Sequence, residues 1–199
     1  MNIEESNLTF EFSEQMVVSK FDDSAFYRQT YNKQPSCKGV DIIADSSEMI
    51  QLIEVKNCTG HESENMWRTS VNNSKLSSAP STLDADDRDS LDIELAKKVA
   101  STISCLYGAW TKSQQSVSAQ EFLPLWKGAY SDKIPISEKT VMIILFLEGN
   151  FDNPKSKTRS KKMIMKRLQE SVSMKLSWLN CRVSVVDSAT YNPKCFAVS

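Results

Sequence analysis

The stretch VDIIADSSEMIQLIEVKN, Val40 to Asn57, sets two apolar runs on either side of the polar tetrapeptide Asp45 to Glu48. Runs rich in Ile and Val suit strands, and Asp and Ser suit the turn between them, so the stretch predicts a hairpin with strands near 39–45 and 50–57. Three charged residues, Asp41, Glu54 and Lys56, interrupt the apolar runs. A strand alternates its faces with period two, so Glu54 and Lys56 share one face while Ile53 and Val55 point the other way. The face of Asp41 depends on the loop. A two- or four-residue loop collects all three charges on one side, whereas a three-residue loop separates them. With only Ser47 and Glu48 at the tip, Asp41 stands directly opposite Glu54. Val40, Ile42, Ile53 and Val55 are then expected to pack on the opposite, buried face.

Directly opposed carboxylates lie about 4.5–5.5 Å apart at Cβ and repel one another, so something must compensate. Lys56 compensates in part. A hard divalent cation such as Mg²⁺ or Mn²⁺ does so better, because it takes oxygen ligands and commonly rests on one or two carboxylates plus water and substrate phosphate. A cation held by Asp41 and Glu54 would activate water and stabilise charge on a phosphodiester, with Lys56 orienting the water or neutralising the developing charge. The competing reading is an exposed sheet face whose charges form an ordinary surface ion pair.

The same stretch resembles the PD-(D/E)XK nuclease superfamily, in which an acid on one strand of a hairpin is followed by (D/E)-x-K on the next. Asp41 matches the first acid, Glu54 the second and Lys56 the lysine, amid apolar Leu52, Ile53 and Val55. The wider run, KFDDSAFYRQTYN, then CKGVDIIA and LIEVKN, is similar to a group of small bacterial members, over roughly residues 20–110. The resemblance implies a restriction endonuclease-like α/β fold, a mixed sheet flanked by helices in the order α-β-β-β-α-β. It further implies a Mg²⁺- or Mn²⁺-dependent hydrolase of DNA phosphodiesters, with Asp41, Glu54 and the backbone carbonyl of Val55 as metal ligands and Asp41, Glu54 and Lys56 as the catalytic set. Val40 stands where the superfamily often has Pro, and the acid often found upstream could be Glu14, Asp22 or Asp23. Since fold does not imply function, the alternative is an inactive module that keeps the fold and acts through a protein or nucleic-acid partner.

The remaining chain fits this frame. With 199 residues, 40% of them hydrophobic and 25% charged, it is long enough for one domain with its own core. A net charge of −1 argues neither for nor against a polyanionic partner, so local clusters must be read instead. Five cysteines without a C-x-x-C pair offer no zinc knuckle or disulfide framework, and the acidic start and short apolar runs predict a soluble protein of a reducing cytoplasm. The segment 7–12 reads as a strand, followed by a short helix capped by Asp22 or Asp23. Residues 58–88, polar and containing Pro80, read as a long mobile loop. A helix is predicted from Asp89 with Leu95, Val99, Ile103, Leu106 and Trp110 on its apolar face, then an irregular segment with Pro124 and Pro135. KTVMIILFLEG predicts a central strand covered on both faces, and Ile164, Leu168, Val172, Leu176 and Leu179 mark a second amphipathic helix before a closing strand at CRVSVVDSA.

Three further clusters bear on function. The run KSKTRSKKMIMKR, 155–167, holds seven basic residues and no acid. Its Lys155, Lys157, Arg159, Lys161 and Lys162 could follow a phosphate backbone or form a solvated face. LDADDRDSLDIE, 83–94, lacks the central Gly of a calcium loop and reads as helix capping plus solvation. Within the helix that follows, Lys97 and Lys98 could point back at the active face or contact phosphate, but Glu94 to Lys98 reads first as an ordinary i,i+4 pair. His61, the only histidine, lies in the loop with no evident partner, which leaves no basis for a Ser-His or Cys-His hydrolase.

Overall fold

The computed structural model describes residues 1–34, 37–73, 89–130, 139–152 and 160–199. Its centre is the hairpin anticipated above. Strand β4 (Ile42–Asp45) pairs antiparallel with β5 (Met49–Asn57), Ile42 opposite Ile53 and Asp45 opposite Ile50. The Ser46 N–H closes the turn on the Met49 carbonyl at 2.9 Å, which leaves Ser47 and Glu48 at the tip. On the outer side of β4 lies β3 (Val17–Lys20), also antiparallel. On the other side of β5, β6 (Thr140–Glu148) and β7 (Cys181–Val186) follow in parallel, giving a five-stranded mixed sheet ordered β3-β4-β5-β6-β7.

Parallel neighbours need crossover connections, and helices supply them. The chain between β5 and β6 includes α3 (Leu91–Lys112), and that between β6 and β7 includes α6 (Lys161–Lys175). Both helices cover one face: Ile43, Leu52, Ile143, Leu145 and Leu147 share a core with Leu95, Val99, Leu106, Ile164, Leu168 and Val172. A second sheet covers the other face, made of β1 (Asn2–Glu5), β2 (Leu8–Glu11) and β8 (Ala197–Val198). Ser6 and Asn7, both at positive φ, form the tight turn between β1 and β2. Phe10 of β2 meets Phe146 of β6 edge-on with ring centres 5.2 Å apart, joining Ile42, Ile53, Val55 and Phe196 in a second core.

Several expectations are corrected. The resemblance implies a helix opening the core, but β1 and β2 precede β3 and no helix does. The short helix α1 (Ala25–Gln29) instead follows β3, and Ser24, not an aspartate, occupies its N-cap position. Part of the loop expected at 58–88 is helical, with α2 (Glu62–Asn65) running into a 3-10 turn (Met66–Thr69); 74–88, with Pro80, lie outside the described residues. Short helices also form where an irregular segment is expected: α4 (Val117–Gln120) and α5 (Leu123–Tyr130). Pro124 sits in the first turn of α5, where its missing N–H costs nothing; Pro135 lies outside the described residues. Trp110 is exposed, because the end of α3 carries it onto Trp126, with which it stacks at 5.1 Å.

The faces of the hairpin are also corrected. Val40 precedes β4 and joins the helix-side core, so strand parity does not extend to it. The charged face is no exposed surface either, since α3 closes over it; the surface ion-pair reading therefore falls.

Candidate functional site

The backbone before β4 is fitted closely against its surroundings. A Cβ on Gly39 would stand 2.5 Å from the buried Phe21 ring, so only glycine lets the chain pass there. The Gly39 N–H donates to the Tyr27 hydroxyl at 2.9 Å, and the Val40 N–H donates to Thr102 of α3 at 3.0 Å. These bonds deliver Asp41 to the sheet end. There its N–H donates to the Ile53 carbonyl at 3.1 Å, one residue out of the hairpin register because Ile42 already pairs with Ile53, so the strand bulges at this point; its Oδ2 accepts from the Val55 N–H at 2.7 Å. Asp41 is therefore not the direct cross-strand partner of Glu54 expected from a two-residue tip, but the two buried carboxylates converge on Lys98 from one face.

Lys56 and Glu54 share a face, and the Lys56 ammonium bridges Glu54 Oε1 at 2.9 Å and Glu94 Oε1 at 3.0 Å. From α3, Lys98 reaches further in: its Nζ lies 2.5 Å from Glu54 Oε1, 3.5 Å from Asp41 Oδ1 and 3.8 Å from Glu94 Oε1. Arg68, on the 3-10 turn, grips the other oxygen of Glu94. Three carboxylates therefore meet three cations under the helix. Two polar atoms stay buried without a hydrogen-bond partner, Glu54 Oε2 and Arg68 Nε.

The electrostatics separate the acids. Burial, reinforced by Glu54, raises the Asp41 carboxyl to about 7, against the smaller opposing pull of Lys98, the Val55 N–H and Lys56. Burial also works against the charge of Glu94, but Lys56, Arg68 and Lys98 outweigh it and hold that carboxyl at about 2. For Lys56 and Lys98 the sign reverses: burial disfavours the ammonium, and the neighbouring carboxylates, Glu54 first, more than restore it, so both lie above the ordinary lysine range. Both lysines are fixed cations.

Of the upstream acids, Asp22 is the one joined electrically to this cluster. Its carboxyl is raised to about 6 by burial, then by Glu5 and Asp23, with Lys20 and Lys98 opposing, and its Oδ1 is buried without a partner. Asp23 is exposed and pairs with Arg28, and Glu14 is exposed.

Glu94, Lys98 and Arg68 are the site residues that sequence reasoning left out. Glu94 and Lys98 stand one turn apart, but the pair is not on the surface. Lys98 belongs to the buried stripe Leu91, Leu95, Lys98, Thr102, Cys105, Ala109, whose spacing was a usable signal. Asp89, Asp92 and Glu94, read as solvated, are buried too. Lys97 points elsewhere and pairs with Asp89. No comparable pattern marks Arg68, which arrives from a polar connection. His61 is exposed beside Glu64.

Of the basic run, Lys155, Lys157 and Arg159 lie outside the described residues. Lys161 is engaged by Asp187 at 2.7 Å and Glu148 at 3.8 Å, while Lys162 is exposed at the start of α6. They flank a groove of about 630 Å³ with Met165, Asp187 and Thr190. Glu148 ends β6 and pairs with Asn57, one residue past Lys56, so this groove and the charge cluster share the end of the sheet where the parallel strands terminate. That is where ligands bind in open α/β sheets.

Among the described residues no three His, Cys, Asp or Glu side chains form a metal-holding group. A site of two carboxylates still suits Mg²⁺, which keeps several waters and often uses only one or two protein carboxylates. The donors fit: Asp41 and Glu54 converge on the same cluster, and Glu54 Oε2 is a buried carboxyl oxygen with no partner. The side chain of Val55 lies in the opposite core, leaving only its backbone for the site.

Fold and site together define a mixed α/β protein with a buried carboxylate and ammonium cluster at the end of its central hairpin. Residues 24–199 match the Family of unknown function (DUF6661), and the chain belongs to that family. No curated protein and no solved structure matches it. Among the described residues, no helix is long and apolar enough to cross a membrane.

Proposed function

We propose that this chain is a divalent-metal-dependent phosphodiesterase acting on DNA, built on a restriction endonuclease-like version of the mixed sheet. One observation carries the reading: the buried carboxylates of Asp41 and Glu54 converge on one cluster, with Lys56 2.9 Å from Glu54 and Glu54 Oε2 buried without a hydrogen-bond partner. The order β3, β4, β5, α3, β6 supports the same fold; the strands in place of an opening helix depart from it.

In this reading Asp41 and Glu54 hold Mg²⁺ or Mn²⁺, with the Val55 carbonyl contributing. When bound, the cation supplies a Lewis acid and a water of lowered pKa. Lys56 does not serve as a base, because Glu54 and Glu94 keep it protonated; it stabilises charge on the phosphate oxygens as they become more negative. Glu94, anchored by Arg68, fixes the position of Lys56. Lys162, exposed at the start of α6, would meet the DNA backbone at the same sheet end.

A second reading rests on the balance of charge. Three cations already pair with three carboxylates, as in a module that works through a protein partner without catalysis. Incubation with single-stranded, double-stranded and branched DNA plus Mg²⁺ or Mn²⁺ separates the two. Cleavage is expected from the native protein, with Asp41→Ala and Lys56→Ala each lowering the rate by at least about a hundredfold. Absence of cleavage on every substrate, together with no metal binding by calorimetry, would leave only the accessory module.

A further inference from the structure

Lys98 is the least expected member of the cluster. It comes from another element, and its ammonium stands between the two carboxylates that the proposed function assigns to a metal: 2.5 Å from Glu54, 3.5 Å from Asp41. It is almost as buried as they are. A divalent cation entering this cluster adds two positive charges to a group already in balance, within a low-dielectric setting where uncompensated charge is costly. Either an ammonium must retreat or an anion must arrive. Glu94, 3.8 Å from Lys98 Nζ, offers a place to retreat but is already shared by Lys56 and Arg68.

We propose that Lys98 is an internal counter-ion that keeps the Asp41 and Glu54 pair from taking a bare divalent cation, so that metal and a phosphodiester anion bind together. This inference rests on the metal reading above and deepens it. Lys98 is a positioning residue: it touches the carboxylates, not the reacting atoms, and it makes site assembly depend on the anionic ligand. The unpartnered Glu54 Oε2 is the foothold from which the cation displaces it. By linkage, metal and anion must strengthen each other's binding by the same factor.

The test is calorimetric titration of Mn²⁺ into the full chain, with and without a phosphorothioate dinucleotide, for the native protein, Lys98→Met, Lys98→Gln and Lys98→Arg. Native protein is expected to bind Mn²⁺ weakly alone and about tenfold or more tightly with the dinucleotide. Lys98→Met should bind Mn²⁺ alone about tenfold more tightly than native and lose most of the dinucleotide dependence; Lys98→Arg should restore both native properties. Lys98→Gln carries the same expectation as Lys98→Met and serves if the methionine variant fails to fold. If the neutral variants bind Mn²⁺ no more tightly than native, the counter-ion role is overturned while the metal site stands. If no variant binds Mn²⁺ in any condition, the metal reading falls and takes this inference with it.

Discussion

At the scale of single residues, Asp41 is held against its electrostatic preference. It serves structure by accepting the Val55 N–H, yet burial and Glu54 raise its carboxyl from an ordinary 3.8 to about 7. Between these two values the folded chain keeps a proton that the unfolded chain has released. Metal-free stability attributable to Asp41 is therefore fully present below about pH 4, declines as pH rises through about 7, and is flat above. An Asn at this position still accepts the Val55 N–H but carries no charge. Asp41→Asn is expected to be more stable than native by about 1–3 kcal/mol at pH 8 with chelator, and to lose that advantage near pH 4. Urea denaturation at both pH values measures this; an equal difference at both would place the titration elsewhere. That Asp41 and Glu54 share a face was legible in the sequence, since it follows from strand parity and loop length; the slip in register at Asp41 was not, because it comes from the packing of Gly39 and Val40 against Phe21 and α3. The pKa was not, since it depends on what covers the face.

At the scale of elements, α3 does most to build the site, and its first turns are the part most easily misread. Asp92, fully buried, accepts from Ser90 at 2.5 Å, Ser171 at 2.7 Å, Lys175 at 2.8 Å and the Asn72 N–H at 3.1 Å. Those partners hold its carboxyl below the ordinary range despite burial. This one side chain ties α3 to α6 and to the segment after Arg68, and so fixes the angle at which Lys98 enters the cluster. Asp92→Ala should cost about 2–4 kcal/mol in urea denaturation, since it leaves buried hydroxyls and an ammonium without their acceptor. A loss below about 1 kcal/mol would mean that water replaces the carboxylate freely. From sequence, an acidic helix start reads as dipole compensation and solvation. Only the packing of α6 against α3 makes Asp92 internal, and only the approach of Lys56 and Arg68 encloses Glu94.

At the scale of the whole molecule, the sheet separates two tasks. The helical face carries the charge cluster, and the face toward β1, β2 and β8 is apolar, with Phe10 packed against Phe146 and Phe196. Terminal segments close this second layer: Thr9 and Ser199 exchange both backbone hydrogen bonds, at 2.9 and 3.1 Å. Phe10→Ala should lower stability by about 3–5 kcal/mol while leaving Mn²⁺ affinity within about twofold of native wherever the variant remains folded. Thermal denaturation and calorimetry on one sample test both halves. A parallel loss of metal affinity would show that the two faces are coupled through β5.

Local periodicity encodes the hairpin and its register from Ile42 to Ile53, the central strand β6, the helices around Leu95 and Leu168, and the shared face of Asp41, Glu54 and Lys56. Tertiary structure alone decided that this face is roofed, that Lys98, Glu94 and Arg68 complete the cluster, and that the opposite face is closed by the chain's own ends. The physical reason is separation along the chain. Strand parity acts between neighbours, whereas the charge balance of a buried cluster is set by side chains brought together from elements dozens of residues apart, where burial converts ordinary charges into strong and specific partners.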